Sequence, residues 1–128
     1  MYICNAFSLN MLTNMDSEIF TRSITADDVR DFNASSPLVS AVGHADTARV
    51  FGATLGFCVT ENRVNVKLSD GERIVVGQYS GPRLEVGTTT LPAGAKIEWL
   101  LVGIRYVNVT PQICGWPASS VSGRAGQS

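Results

Sequence analysis

Histidine is almost absent from this chain of 128 residues: His44 stands alone, in the stretch AVGHADTARVFGATLG where a helix is predicted to begin. A mechanism with two catalytic histidines and a histidine-rich metal site are therefore both excluded. If the protein is an enzyme, His44 is the natural proton donor or acceptor, because imidazole is the side chain that ordinarily exchanges protons near neutral pH. The alternative is that His44 is an ordinary helix-capping or half-buried residue.

Charge is also scarce. Charged residues make up 16% of the chain, hydrophobic residues 45%, and the formal net charge is −1. This composition predicts one globular domain and no binding of duplex nucleic acid, which usually needs a basic face to neutralise phosphates. A small anionic ligand held by two or three basic residues remains compatible with it. The low charge also indicates that part of the surface is covered, most simply by a second copy of the chain.

The cysteines lack any metal-binding or disulfide pattern. Cys4, Cys58 and Cys114 are odd in number, widely spaced and without a C-x-x-C pair, which is typical of reduced thiols in a cytosolic protein. The first residues have no basic start and no cleavable small-residue site, so we expect no signal peptide. No apolar run approaches the roughly 18 residues that span a bilayer, so we expect a cytoplasmic protein with no membrane partner.

Hydrophobic periodicity predicts an α/β or α+β domain with a mixed β-sheet flanked by helices, in the order β-β-α-α-β-β-β, and not a doubly wound parallel sheet. The first helix has a capping signature in Thr25 and Asp28, and the second ends at Gly56. We expect this single domain over residues 1–107 and a Ser/Gly/Pro-rich tail over residues 108–128. The predicted strands are 2–7, 18–24, 63–68, 74–79 and 96–107, with Asp70-Gly71 as the turn of a hairpin, and the second helix is 43–55.

Several common enzyme signatures are missing. The chain contains neither phosphate-binding glycine motif, G-x-x-x-x-G-K-[ST] or G-x-G-x-x-G, and no G-x-S-x-G nucleophile elbow. Asp27, Asp28 and Asp31 resemble a metal-ligating set, but carboxylates in a first helical turn are more simply explained by the helix dipole. We therefore predict no metal site and no cofactor.

Polar side chains gather at three other places. Asn5, Ser8 and Asn10 follow the first strand, and we expect Arg63 and Gln78 to face each other on the polar side of the hairpin. A later loop carries two more charged residues two positions apart, Arg83 and Glu85. Amides, hydroxyls and guanidinium groups of this kind bind a phosphodiester, and an imidazole can move its proton, although spacing alone supports this weakly.

Five strings in order resemble one family. NAFSLNML, VGH at a helix start, ENRVNVKL, GQYSGPRLEVG and LPAGAKIEWLLV look like the small viral ring nucleases, anti-CRISPR enzymes with cellular relatives that degrade cyclic tetra-adenylate, the messenger of type III CRISPR defence. The similarity covers residues 2 to about 103. It implies a homodimer that binds the ring across its two-fold axis and cleaves it without metal. A ribose 2′-hydroxyl would attack the adjacent phosphate, leaving linear products with cyclic 2′,3′-phosphate ends.

The resemblance also implies residue roles. His44 would be the general acid for the departing 5′-oxygen and Arg83 would stabilise the developing charge. The family usually has R-L-P-E-G, with an acidic residue three after the arginine; here that position is Val86, and Glu85 stands one earlier. We expect Glu85 to take the acidic role through a small shift of the loop. The expected ligand-contacting residues are Asn5, Ser8, Asn10, Arg63 and Gln78.

Two other functions stay open. The departure at Val86 is compatible with a protein of the same fold that sequesters the messenger without cutting it. A small DNA-binding or regulatory protein is the other alternative, and the slightly negative net charge argues against it.

Overall fold

The computed structural model describes residues 1–107, so the predicted tail over residues 108–128 lies outside the described part. Five strands and two helices follow one another in the order β-β-α-β-α-β-β, with a short 3-10 turn at Leu9–Met11 between the first two strands. The strands are β1 (Tyr2–Cys4), β2 (Ser17–Ile24), β3 (Val39–Ser40), β4 (Arg73–Ser80) and β5 (Lys96–Tyr106); the helices are α1 (Ala26–Ser35) and α2 (Ala45–Leu55).

The strands form one mixed sheet in the order β2-β5-β4-β1-β3. β1 runs parallel to both of its neighbours, β3 and β4, whereas β5 runs antiparallel to β4 and β2. The predicted α+β fold with a mixed sheet and two helices is confirmed. Within residues 1–107, no helix combines the length and the apolar character that crossing a bilayer requires.

Each face of the sheet has its own hydrophobic core. Ile3 and Val75 are directly paired, and Trp99 of β5 lies on the same face; all three pack together against α1 and α2 on what we call the helix face. Cys4, Val76 and Val102 point to the opposite face, where irregular segments cover them. The interior strand β5 gives Trp99 to the core on the helix face and Val102 to the opposite core, so it is apolar on both sides.

The helix boundaries follow the predicted signals. Thr25 caps α1: its hydroxyl accepts a hydrogen bond from the Asp28 amide at 3.1 Å, and the Asp28 carboxylate accepts one from the Thr25 amide at 2.9 Å. Gly56 ends α2 with a positive φ of 84°, a conformation that glycine adopts without steric cost. The predicted strand over residues 18–24 and the predicted long strand from Lys96 are both confirmed.

The predicted hairpin is wrong. Residues 63–68 form no strand, and β4 pairs with β1 and β5 instead. The alternation in this segment has another cause: Val66 and Leu68 bury against the sheet face opposite the helices, and Leu68 makes only an isolated bridge with Leu12. Alternate burial on top of a sheet gives the same period of two as membership in a sheet, so the pattern could not separate them.

Two smaller differences concern the first and third strands. β1 ends at Cys4 rather than at residue 7, and Ser8 begins the 3-10 turn by accepting a hydrogen bond from the Asn10 amide at 3.2 Å. β3 has only two residues, Val39–Ser40, and was not predicted, because two residues carry no periodicity.

Gly77 of β4 packs directly beneath the rings of Phe51 of α2 and Trp99 of β5. A Cβ at Gly77 would lie 2.5 Å from Cζ3 of Trp99 and 2.6 Å from Cζ of Phe51, two rings that pack edge to face with centroids 5.0 Å apart. A methyl group there forces one ring to move. We expect Gly77→Ala to lower the free energy of unfolding by about 1–3 kcal/mol, the usual cost of overpacking a core, as measured by urea denaturation.

The matched control is Gly103→Ala, on the same face in the neighbouring strand. A Cβ at Gly103 meets only Cγ of Arg73, at an ordinary 3.6 Å, so little change in stability is expected. Equal losses in the two variants would show that strand propensity, and not the close approach of the rings, governs both positions.

Candidate functional site

The candidate residues come together where three parallel strands end. Because β1, β3 and β4 are parallel neighbours, their carboxyl-terminal ends lie at the same edge of the sheet. Asn5 follows β1, Gly43 and His44 follow β3, and Gln78 lies near the end of β4. We call this the carboxyl edge. In open sheets with parallel strands, ligands commonly bind at such an edge.

A clamp of hydrogen bonds fixes the chain before Arg63. The Asn62 side-chain amide donates to the Ser40 carbonyl at 2.7 Å, and the Asn62 backbone amide donates to the Val42 carbonyl at 2.8 Å. Arg63 then donates from Nε to the Gly43 carbonyl at 2.9 Å. The guanidinium group of Arg63 is thereby held at the carbonyl of Gly43, the residue that precedes His44 in the sequence.

His44 occupies the N-cap of α2 but does not cap it with its side chain. Its backbone is extended, with φ −131° and ψ 130°, and its carbonyl accepts the Ala48 amide at 3.0 Å. The imidazole makes no capping hydrogen bond and is exposed. His44 therefore does occupy the capping position, as the alternative interpretation expects, but its side chain makes no capping hydrogen bond. The ring is left available to a ligand.

Two small cavities connect most of the predicted polar residues. Asn5 and Arg63 line a cavity of about 300 Å³, and Ser8 and Asn10 line a second one of about 380 Å³. Asn65 contributes to both cavities, as does its neighbour in the chain at position 64. Four of the five predicted ligand-contacting residues thus belong to one polar surface along residues 63–68, the segment that was predicted to be the first strand of a hairpin.

The sequence interpretation missed two residues of this surface, Asn65 and Lys67. Lys67 lines the second cavity and donates from Nζ to the Asn10 carbonyl at 2.6 Å, which ties the 3-10 turn to the segment. A signal was present in the sequence, because Arg63, Asn65 and Lys67 occupy the polar positions of one alternating stretch. Because this stretch was assigned to a hairpin strand, the common position of these side chains along the two cavities was not recognised.

Gln78 is the predicted ligand residue that the two cavities do not include. It lies exposed in β4, directly opposite Glu98 of β5. The expectation that Arg63 and Gln78 face each other across a hairpin is wrong, because Arg63 does not lie in a strand and bonds to Gly43 instead. Gln78 shares only the carboxyl edge with the others.

The loop over residues 81–95, which carries Arg83 and Glu85, contacts the first turn of α2 through Gly87. The Glu85 carbonyl accepts the Thr88 amide at 3.0 Å, forming a turn, and the Gly87 amide donates to Asp46 Oδ1 at 3.2 Å. Asp46 lies two residues after His44. The side chains of Arg83 and Glu85 are both exposed, and Val86 at the turn is 97% exposed.

Two of the aspartates at the start of α1 stabilise the amino-terminal end of that helix. Asp28 completes the capping box and Asp27 forms an ion pair with Arg30. Across residues 1–107, no three His, Cys, Asp or Glu side chains lie close enough together to hold a metal ion.

Comparison with known proteins decides the family. A family model described as STIV B116-like matches residues 1–93, well over half of the chain. The chain belongs to the STIV B116-like family. The B116-like match includes Asn5, His44, Arg63 and the part of the loop that carries Arg83 and Glu85.

Two viral proteins are similar to this B116-like chain. B116 of Sulfolobus turreted icosahedral virus is 27% identical with a TM-score of 0.66, over 79% of this chain and 96% of that one. Uncharacterized protein 26 of Sulfolobus islandicus filamentous virus (isolate Iceland/Hveragerdi) is 24% identical over 75 residues. That match covers 59% of this chain and 64% of the viral relative, slightly less than two thirds of its length. Neither name states an activity or a ligand.

Asp46 is the residue that holds the loop against α2. Its Oδ1 pairs with Arg49 and accepts the Gly87 amide, whereas Arg49 itself reaches the Thr88 carbonyl only at 3.4 Å. We expect Asp46→Ala to release the turn, so that the amides of Gly87 and Thr88 exchange with deuterium faster in the variant, as measured by mass spectrometry.

The control is Asp27→Ala, which removes the equivalent i,i+3 ion pair at the start of α1, where the aspartate has no hydrogen bond to the loop. It should leave exchange in the loop unchanged. Equal exchange in both variants and the wild-type chain would mean that other contacts hold the loop.

Proposed function

We propose that this protein is a metal-independent ring nuclease that cleaves cyclic tetra-adenylate and so switches off type III CRISPR signalling. One observation carries the proposal: the exposed imidazole of His44 makes no capping hydrogen bond, and the residue before it, Gly43, holds the Arg63 guanidinium through its carbonyl, at an edge lined with polar side chains. This chemistry suits a phosphodiester. The resemblance of the same residues to the ring-nuclease strings supplies the substrate.

The donors at the carboxyl edge match the needs of a phosphodiester anion. Arg63 and Lys67 contribute positive charge, while Asn5, Ser8 and Asn10 contribute neutral donors that orient without adding charge. Charge-assisted hydrogen bonds from guanidinium to phosphate are about twice as strong as neutral ones. The backbone amides at the start of α2 add favourable dipoles beside His44.

In the proposed reaction the substrate supplies its own nucleophile. The ribose 2′-oxygen attacks the adjacent phosphorus, its proton passes to solvent, and the bond from phosphorus to the 5′-oxygen breaks. His44 protonates the departing 5′-oxygen, and the product keeps a cyclic 2′,3′-phosphate. No water needs to be activated in this step, so we expect EDTA to leave the rate unchanged.

Arg83 and Glu85 enter the reaction through their loop. The turn that follows them is hydrogen-bonded to Asp46 in the first turn of α2, two residues after His44, and this bond anchors the loop to the helix that His44 begins. Arg83 would neutralise the charge that develops on the phosphoryl oxygens, the contribution that preorganised cations make to such transition states. Glu85 would supply the acidic group whose usual family position holds Val86.

A protein that sequesters the ring without cutting it is the second candidate. Val86, in the position of the family's acid, is 97% exposed and makes no polar contribution. If Glu85 does not replace that acid, the polar surface still binds the ring while turnover is lost. Product formation separates the two functions, and failure to bind the ring would favour the small DNA-binding or regulatory protein.

The first test is His44→Ala. Loss of a general acid should slow single-turnover cleavage of cyclic tetra-adenylate by on the order of a hundredfold or more, with a far smaller change in affinity, because proton donation acts in the transition state. A substrate with a bridging 5′-thiolate leaving group, which needs no proton, should largely restore the rate. Cleavage of the ordinary ring at the wild-type rate would make His44 structural.

Thr25→Ala is the matched control, since Thr25 is the N-cap residue of α1 as His44 is the N-cap residue of α2. Thr25 makes a capping box and His44 makes no side-chain capping bond. Thr25→Ala should therefore cost about 1 kcal/mol of stability and leave the cleavage rate intact. His44→Ala should leave the stability nearly unchanged and slow cleavage. Arg83→Ala differs from both, because it should weaken binding as well as cleavage.

A second test concerns assembly. A two-fold symmetric ring matches an isologous dimer, in which each protomer gives identical contacts, so we propose a homodimer acting in the cytoplasm of the host cell. Sedimentation at micromolar concentration should give twice the monomer mass. A species of 13.7 kDa both with and without the ring would contradict the shared site.

A further inference from the structure

A larger groove lies at the other end of the sheet, away from the carboxyl edge. It has a volume of about 620 Å³ and opens on the helix face, beside the first residue of β4 and near the last residues of β5. Pockets that hold small ligands span roughly 300–1,000 Å³. The proposed ring cleavage uses no residue of this groove, which we call the Gly103 groove.

The groove exists because a glycine stands in the middle of a cross-strand row. Gly103 of β5 pairs with Arg73 of β4 on one side and with Phe20 of β2 on the other, and all three share the helix face. A side chain is missing at the centre, so Arg73 and Phe20 face each other across two strand spacings, roughly 10 Å. The nearest heavy atom to a Cβ placed at Gly103 is 3.6 Å away, so the space above the glycine is open.

Three guanidinium groups surround this gap. Arg22, Arg73 and Arg105 come from three different strands, and among residues 1–107 Asp70 is the one acidic residue that lines the groove. The Asp70 carboxylate already accepts the Tyr106 amide at 2.8 Å. Arg105 pairs with Glu18 at the rim, whereas within residues 1–107 neither Arg22 nor Arg73 has a carboxylate within 4.0 Å. The groove therefore carries an excess of positive charge.

Aromatic rings position two of these cations. The Arg73 guanidinium carbon lies 5.7 Å from the centroid of the Phe32 ring, and that of Arg105 lies 6.0 Å from the centroid of Phe20. Cation–π contacts of this kind hold planar guanidinium groups in place. Phe20 is nonetheless 54% exposed, and Leu101 adds an apolar patch to the lining. The groove thus offers flat apolar surface and fixed cations side by side.

We propose that the Gly103 groove is a nucleotide-binding site: it takes a phosphorylated nucleoside, either free or at the end of an RNA strand. The base stacks over Gly103 against Phe20 and Leu101, and the phosphate pairs with Arg22, whose donors have no carboxylate partner within residues 1–107. Base stacking on an aromatic side chain favours this ligand over a simple anion, and the guanidinium contact to phosphate favours it over an unphosphorylated nucleoside.

The site is independent of the proposed ring nuclease. Its residues lie at the amino-terminal end of β4, whereas Asn5, His44 and Arg63 lie at the carboxyl edge. A variant of the groove should change nucleotide affinity and leave the carboxyl edge intact, so each proposal fails on its own evidence.

The experiment compares three probes by isothermal titration calorimetry with the full chain: adenosine 5′-monophosphate, adenosine and inorganic phosphate. The monophosphate should bind at least tenfold more tightly than either part alone, and its affinity should fall with added salt because the contacts are ionic. Equal affinity for phosphate and the monophosphate, or no binding at 1 mM, overturns the proposal. A 5′-phosphorylated triadenylate strand, compared with its unphosphorylated form, distinguishes an RNA end from a free nucleotide.

Two groove variants locate the binding. Gly103→Leu fills the gap without removing a charge, and Arg22→Gln removes the unpaired charge from an exposed edge strand; each should weaken adenosine 5′-monophosphate binding at least tenfold. Arg63→Gln at the carboxyl edge is the control and should bind the nucleotide as the wild-type chain does. If Arg63→Gln loses the affinity and Arg22→Gln keeps it, the nucleotide binds at the carboxyl edge and the groove is not its site. Arg22→Gln decides the question even if Gly103→Leu fails to fold.

Discussion

The parallel pairing of β1 with two neighbours organises the whole molecule. Tyr2 and Ile3 pair with β3 on one side, all of Tyr2–Cys4 pairs with β4 on the other, and both pairings are parallel. Ile3 then buries against the helices and Cys4 against the opposite core. Because of this pairing, chain segments more than seventy residues apart end at one edge, and Asn5 comes to lie next to the chain that carries Arg63.

Elements with strong local signals were predictable. The capping box of Thr25 and Asp28, the positive φ at Gly56 and the long apolar strand from Lys96 each depend on residues close in sequence. The hairpin failed because alternate burial of Val66 and Leu68 arises from packing on a sheet as readily as from pairing within one. β3 is a strand through its partner β1 alone, and no short-range pattern encodes that.

The candidate site was predictable to the extent that polar residues follow strand ends. Asn5, Ser8 and Asn10 were grouped after the first strand and Arg63 was grouped with Gln78, whereas the structure places Asn5, Ser8, Asn10 and Arg63 along adjoining cavities. Asp46 was missed because its hydrogen bond to Gly87 joins residues 41 apart in the chain. The Gly103 groove was hidden for a related reason: a missing side chain is visible only once the neighbouring strands supply Arg73 and Phe20 on either side.

The burial of Cys4 has a consequence for redox chemistry. Burial raises the pKa of the Cys4 thiol to about 11, and a hydrogen bond with the backbone of Ala6 offsets only part of this shift. The thiolate is the species that oxidants and alkylating reagents attack, so at neutral pH this thiol is inert despite lying one residue from the candidate site. In strongly alkaline solution the unfolded thiol ionises first, from pH 9 upward, and the native state loses stability until the folded thiol also ionises near pH 11. An oxidising environment should therefore leave the carboxyl edge unmodified at this position for as long as the sheet stays folded.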